Sequence, residues 1–410
     1  MLSNFLSLSV LQGANLILPL LAVPYLIRIL GVELYGLLAF ATALIAYFSI
    51  LSDYGFDLTA TREISIHRES NKKITEIFSS VMTIKFLLTI LGLLILTIVL
   101  FSFERFQKEW SLYYLTFGSV IGQVLFPVWF FQGMERMKYI SILSILAKII
   151  FLITIFFFIN ERKDYYLVPL FNSMGFIIAG IISLYYIKKE FNITFKFQSI
   201  NIIKIYFKDG WYIFISRIAV VIYTSGNILV LGFFTNNTIV GYYSIAEKII
   251  KAISSLGSII NRVIFPYLSK IWIESRQNYY LKFKYVLTNM SYVLLVLVVL
   301  LIAFAPLIVN LLSGEKIEES TLVLRYMAIT VLLLPLGGLF TQAFAVQNQN
   351  KYIYKVTIYT MLVNILLVFL LIKLYGAVGL AINVILVQIF HLILNSFYFF
   401  KIKVKNQCVE

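Results

Sequence analysis

Twelve apolar runs, each long enough to cross a bilayer as a helix, leave this chain few ways to fold. They lie near 5–27, 36–58, 78–102, 111–132, 139–160, 166–187, 210–234, 240–266, 285–312, 321–346, 356–373 and 377–400. In hydrocarbon no water satisfies a bare N–H or C=O, so isolated runs of this length must become helices. Of the 410 residues, 61% are hydrophobic and 13% are charged, more apolar surface than a water-soluble core buries. The expected fold is all-α: a polytopic membrane protein with twelve transmembrane helices.

Basic residues orient it. Loops 59–77, 133–138, 188–209, 267–284, 347–355 and 401–410 hold 20 Lys and Arg. The alternate loops and their edges hold 7, and 7 more lie inside spans. The richer side is cytoplasmic, which puts both termini inside. Residues 1–5 carry no basic charge and the first run is too long for a signal core, so the first span is expected to stay as an anchor. The longest polar interruption, Lys188–Asp209, reads as a cytoplasmic linker. It separates an N-terminal six-helix bundle, 1–187, from a C-terminal one, 210–410, with a short tail. Six spans per half make any duplication a parallel repeat. Leu30-Gly31 with Tyr35-Gly36 recurs as Leu231-Gly232 with Val240-Gly241, and Lys138-Tyr139-Ile140 recurs as Lys351-Tyr352-Ile353. Pro19, Pro24, Pro127, Gly226 and Pro335 interrupt spans, as in transporters whose helices break around a cavity.

Several function classes are excluded or disfavoured. The net charge of +15 is dispersed over short loops, with no basic domain for nucleic acid. Cys408 alone makes no disulfide, and His67 and His391 lack metal-ligand neighbours. There is no G-x-x-x-x-G-K-[ST], H-E-x-x-H or G-x-S-x-G, so neither an enzyme nor a resident cofactor is expected. External loops are too short to hold the acceptor of a glycan polymerase. The loop after span two lacks the major-facilitator G-x-x-x-[DN]-[RK]-x-G-[RK] pattern.

What remains is charge inside the membrane. Glu247, Lys251, Ser255, Ser258 and Arg262 share one helix face at steps of three and four, with Lys248 beside them and Arg217 at similar depth in the preceding span. Each cation facing lipid costs about 2.5–3.5 kcal/mol, so four would cost roughly 10–14 kcal/mol. The face is expected to meet water, a partner charge or an anion such as phosphate or pyrophosphate, unless Arg262 and Lys248 snorkel to the interfaces. Glu247 and Lys251 are spaced to pair. Asp53 or Asp57 in span two is a candidate for a coupling proton or sodium ion, as is Glu247; for Asp57 the preferred alternative is an interfacial pair with Arg62. Arg217, Thr224 and Asn227 fall on one face of span seven. Gln12, Asn15, Gln123, Gln132 and Gln342 line a cavity or bond between helices. His391 reads as packed.

These residues carry a resemblance. Leu30-Gly31, Tyr35-Gly36, Asp53-Tyr54-Gly55-Phe56 and Arg62 resemble the opening of the polysaccharide flippases of the Wzx type, within the multidrug/oligosaccharidyl-lipid/polysaccharide exporter superfamily. The run Pro127-Val128-Trp129-Phe130-Phe131-Gln132-Gly133-Met134-Glu135-Arg136-Met137-Lys138-Tyr139 is similar to that family's span-four signature, and Gly376-Ala377-Val378-Gly379 fits before the last span. The second half has no Asp-x-Gly counterpart. The resemblance implies two six-helix bundles around a central cavity. It implies that an undecaprenyl-pyrophosphate-linked oligosaccharide, of O-antigen or a similar surface glycan, passes from the cytoplasmic to the periplasmic leaflet of a bacterial inner membrane by alternating access. Arg217, Lys248, Lys251 and Arg262 would hold the pyrophosphate, with Arg28 and Arg62 as weaker candidates. A glycan polymerase and a chain-length regulator are the implied protein partners, besides membrane lipids. The alternative is an ion-coupled exporter of small molecules on the same fold.

Overall fold

A computed structural model describes Leu2–Gln407; the side chains of most residues before 21, of Arg262 and of those after 404 lie outside the description, and so do Gln12, Asn15, Pro19 and Cys408. Among the described residues the chain is helical throughout: α1 (Leu2–Asp53), α2 (Phe56–Ile66), α3 (Asn71–Ser102), α4 (Glu104–Gln107), α5 (Trp110–Leu125), α6 (Val128–Gly133), α7 (Met137–Phe158), α8 (Leu167–Phe191), α9 (Ile200–Tyr223), α10 (Ser225–Phe234), α11 (Asn237–Glu274), α12 (Arg276–Ser313), α13 (Glu318–Met327), α14 (Thr330–Val346) and α15 (Asn350–Gln407). Nine helical stretches among the described residues are long and apolar enough to cross a membrane, ten with the bent pair α9–α10 taken as one span.

Fewer spans are separate than the apolar runs suggest because helices run on through turns. Within α1 only Gly31 leaves helical geometry (φ 78°), and within α15 only Gly376 does (φ 56°). Both sit in the left-handed region that glycine enters without a Cβ clash. Elsewhere the sequence starts and stops helices by familiar chemistry. The Ser70, Asn236 and Ser275 side chains cap α3, α11 and α12 by accepting from the N–H three residues on. Gly314 and Asn192 end α12 and α8 in left-handed geometry.

The molecule divides into two compact units. The first is Met1–Leu34 with Phe40–Val221; the second is Tyr35–Ala39 with Ile222–Glu410. The first therefore extends through most of α9, past the linker at 188–209, because α9 seats on the junction of α1 and α2. Its core is aromatic, with Tyr54, Phe56, Phe78, Trp129, Phe130 and Phe131 buried together. The core of the second gathers Tyr279, Phe283, Phe340, Phe344 and Phe399. In the second unit α12 buries Leu294, Val298, Leu301, Ala305 and Val309 along one face and exposes Val293, Val296, Val299, Leu307 and Leu311 on others. A helix apolar all round, with only one face covered by protein, needs lipid for the rest.

Both units contain the same turn. Before α7, Phe131 O accepts from Arg136 N at 2.8 Å and Glu135 is left-handed (φ 55°). Before α15, Phe344 O accepts from Gln349 N at 2.7 Å and Asn348 is left-handed (φ 57°). Gly36 and Gly241, which the sequence aligns as repeat partners, also touch. A Cβ on Gly36 would lie 2.9 Å from Gly241 Cα and would collide with the Asn237 carbonyl.

Candidate functional site

The segment Asp53-Tyr54-Gly55-Phe56-Asp57 is a helix break. Tyr54 (φ 53°) and Gly55 (φ 82°) end α1 and start α2, leaving a carboxylate on each side. Asp57 lies in the first turn of α2, where the helix dipole favours an anion. The buried Tyr54 ring stacks on Phe207 and Phe214 of α9, with ring centroids 4.5 and 4.8 Å away. Close approach is possible because both chains carry glycine there. A Cβ on Gly210 would lie 2.6 Å from Tyr54 Cδ1, and one on Gly55 2.6 Å from Ile213 Cγ2. Residues 207, 210, 214 and 217 share one face of α9 by helical spacing. Arg217, one turn past this seat, therefore reaches the two carboxylates.

Its guanidinium donates to Asp57 Oδ2 and stands 3.6 Å from Asp53 Oδ2. From α3, the Lys85 ammonium donates to Asp53 Oδ1 at 2.9 Å. Lys85 is nearly sealed, with 5% of its side chain exposed, whereas 28% of Asp53 and 36% of Arg217 remain open. Two anions and two cations make a neutral cluster, the form in which buried charge is tolerated. Beside it lies a cavity of about 210 Å³ lined by Asp53, Asp57, Lys85, Ser52, Gln123 and Trp129. Two buried polar atoms of lining residues, Asp57 Oδ1 and Trp129 Nε1, have no hydrogen-bond partner among the described residues. At the far end of α9, Tyr206 donates to Glu76 at 3.1 Å and Lys73 donates to the same oxygen at 2.6 Å.

Arg62, Glu247 and Lys251 have ion-pair partners of their own. Asp57 does not pair with Arg62; Arg62 turns to its neighbour Glu63 at 2.8 Å, because α9 brings Arg217 closer to Asp57. Arg28 is exposed. On α11, Lys251 does pair with Glu247 at 2.8 Å, and Lys248 is exposed one position round. Arg262 lies on the same helix, its side chain outside the description. Arg217 and Asn227 lie on separate helices, α9 and α10. The break falls at Thr224, not at Gly226, and α9 and α10 bend by 42° across it. Asn227 instead starts a buried amide chain in the second unit. It donates to the Tyr223 carbonyl at 2.9 Å, accepts from Asn364 at 2.9 Å, and Asn364 accepts from Asn383 at 2.8 Å. His391 packs against Gly337 and contacts Asn395 at 3.2 Å.

Lys85 is the member of the charge cluster that sequence reasoning passed over. The missed signal is depth: Asp53, Lys85 and Arg217 each lie within seven residues, about 10 Å at 1.5 Å per residue, of the same side of their expected spans.

The apolar helices and the charges paired inside them define a multi-pass membrane protein with a polar site within its spans. More narrowly, the chain belongs to the polysaccharide biosynthesis protein family, whose model matches residues 1–272. Two proteins named "Putative O-antigen transporter" are similar over nearly their whole length. That of Escherichia coli (strain K12) is 30% identical over 93% of this chain and 92% of its own. That of Shigella dysenteriae is 28% identical over 95% and 97%. The fold is shared with the lipid II flippase MurJ in an inward closed conformation, at a TM-score of 0.74 and 18% identity over 97% of this chain and 87% of that one. It is shared too with an inward-facing multidrug resistance MATE family transporter of the MOP superfamily, at a TM-score of 0.68 and 13% identity over 95% and 98%.

Proposed function

We propose that the protein is a flippase for lipid-linked polysaccharide, moving undecaprenyl-pyrophosphate-linked repeat units of O-antigen or a similar glycan from the cytoplasmic to the periplasmic leaflet of a bacterial inner membrane. The observation that carries this reading is the nearly full-length likeness to proteins named for O-antigen transport. The fold shared with a lipid flippase supports it. Twelve spans follow if α1 is divided at Gly31 and α15 at Gly376, in addition to treating α9–α10 as one span. As units of duplication, rather than of packing, the halves are 1–187 and 210–410 around the linker 188–209, with both termini cytoplasmic.

In this reading Arg217, Lys248, Lys251 and Arg262 meet the pyrophosphate, with Arg28 and Arg62 at the approaches. Guanidinium groups suit the work because they bind phosphate oxygens in pairs. Asp53 and Glu247 are the carboxylates for a coupling ion, H+ or Na+. A glycan polymerase and a chain-length regulator are proposed as neighbours in the pathway. The test is the Lys248→Ala, Arg262→Ala double variant, quantified by immunoblot and by surface glycan staining. Glycan display is expected to fall to background while the protein still inserts; normal display would overturn a cationic substrate site on α11. The MATE-like fold favours one rival, an ion-coupled exporter of small molecules. It predicts that deleting the chain sensitises cells to such compounds and leaves their surface glycan intact.

A further inference from the structure

One carboxylate oxygen in the charge cluster has no partner among the described residues. Asp57 Oδ2 accepts from Arg217, but Asp57 Oδ1 is buried without a partner. The charged groups acting on Asp57 are Asp53 from α1, Lys85 from α3 and Arg217 from α9. Lys85 is committed to Asp53 at 2.9 Å. Asp57 thus draws its contact counter-charge from Arg217 alone. Across the same cavity the indole Nε1 of Trp129, a residue 2% exposed, has a proton to donate and no acceptor. Unsatisfied polar atoms beside a cavity of this size mark a place for water or a polar ligand.

Arg217 is open enough for a second anion to reach it, and its fork matches a diphosphate better than a single carboxylate oxygen. Once the guanidinium turns to such an anion, Asp57 is left in a low-dielectric site without a contact cation, which favours its neutral acid. We propose that Arg217 and Asp57 form a proton-coupled latch: a diphosphate takes Arg217 while a proton from water takes Asp57 Oδ1. The bond formed is O–H on Oδ1 and the bond broken is an O–H of hydronium, which leaves as water; the Arg217–Asp57 ion pair parts and the guanidinium keeps its charge. Linkage makes this reciprocal, so protonation of Asp57 raises anion affinity by the factor by which the anion favours protonation. The lipid identity of the diphosphate rests on the flippase reading; the latch itself does not.

The purified full chain in detergent is titrated with undecaprenyl diphosphate, inorganic pyrophosphate and phosphatidylglycerol, with proton uptake followed by an indicator dye in weak buffer. Wild type is expected to take up about one proton per diphosphate bound, and affinity to rise by up to about tenfold per unit fall in pH. Asp57→Asn is expected to bind more tightly with only the ligand's own proton change, and Arg217→Gln to lose both binding and uptake. Wild-type uptake needs no variant, and thermal melts establish that the variants fold. Diphosphate binding without uptake, or weaker binding by a folded Asp57→Asn, overturns the latch and leaves the flippase reading standing. Uptake with inorganic pyrophosphate but none with the lipid keeps the latch and overturns the flippase reading. The same uptake with phosphatidylglycerol overturns diphosphate specificity, and silence with all three probes overturns both.

Discussion

At the residue scale, removing Lys85 would leave Asp53 without its hydrogen-bonded cation. The lysine is nearly sealed, and its partner Asp53 is otherwise held only by Arg217 at 3.6 Å. Breaking a fully buried pair by deleting one partner costs about 3–5 kcal/mol. Because Asp53 is 28% exposed, Lys85→Met is expected to cost less, about 2 kcal/mol. Detergent melting reads the loss, and the Lys85→Met, Asp53→Asn double variant should recover much of it, since no lone charge then remains. Additive losses in the double variant would mean that the pair does not couple. Charges inside spans stand out in the sequence from their cost alone, as Arg217, Lys248, Lys251 and Arg262 demonstrate. Their partners were visible only where both lay on one helix. Glu247 and Lys251 are four apart and were paired in advance; Arg217 meets Asp57 across 160 residues, a distance that no periodicity encodes.

At the scale of elements, the seat of α9 depends on two glycines that periodicity treats as incidental. Gly210→Val is expected to force Tyr54 from its place, since even a Cβ would lie 2.6 Å from the ring. Such overpacking costs typically 1–3 kcal/mol. It would also part Arg217 from Asp57, so the variant should lower the melting temperature and abolish the proton uptake of the latch. Wild-type uptake in a destabilised Gly210→Val would show that the seat does not position Arg217. Apolar length made the helices themselves easy to find. Their ends were harder, because Gly31 and Gly376 bend a chain that otherwise continues as helix, and because the break in span seven falls at Thr224 while a neighbouring glycine, Gly226, stays helical. At the break the Asn227 side chain donates to the Tyr223 carbonyl, a bond from α10 back to α9.

For the whole molecule, the uneven loops make orientation testable. Cys408 is the chain's one cysteine, so a Cys408→Ser background allows single reporters. Thr194→Cys, at an exposed position between α8 and α9, is expected to resist a membrane-impermeant maleimide in intact cells and to react after lysis. Lys316→Cys, between α12 and α13, is expected to react in both. The reverse pattern would invert the topology and, with it, the side from which substrate enters. Two short echoes in the sequence point to a duplication. The twin turns before α7 and α15 carry one echo into backbone geometry, with left-handed residues at Glu135 and Asn348 although the side chains differ.

The neutrality of the four-charge cluster has an electrical consequence. Carrying one elementary charge through a membrane potential involves about 2.3 kcal/mol per 100 mV. While Asp53, Asp57, Lys85 and Arg217 stay together they sum to zero, and the field across the bilayer does no net work on them as a block. Voltage gains a handle on this part of the protein only when Arg217 parts from its carboxylates, which makes an idle carrier electrically silent at this site and a loaded one not.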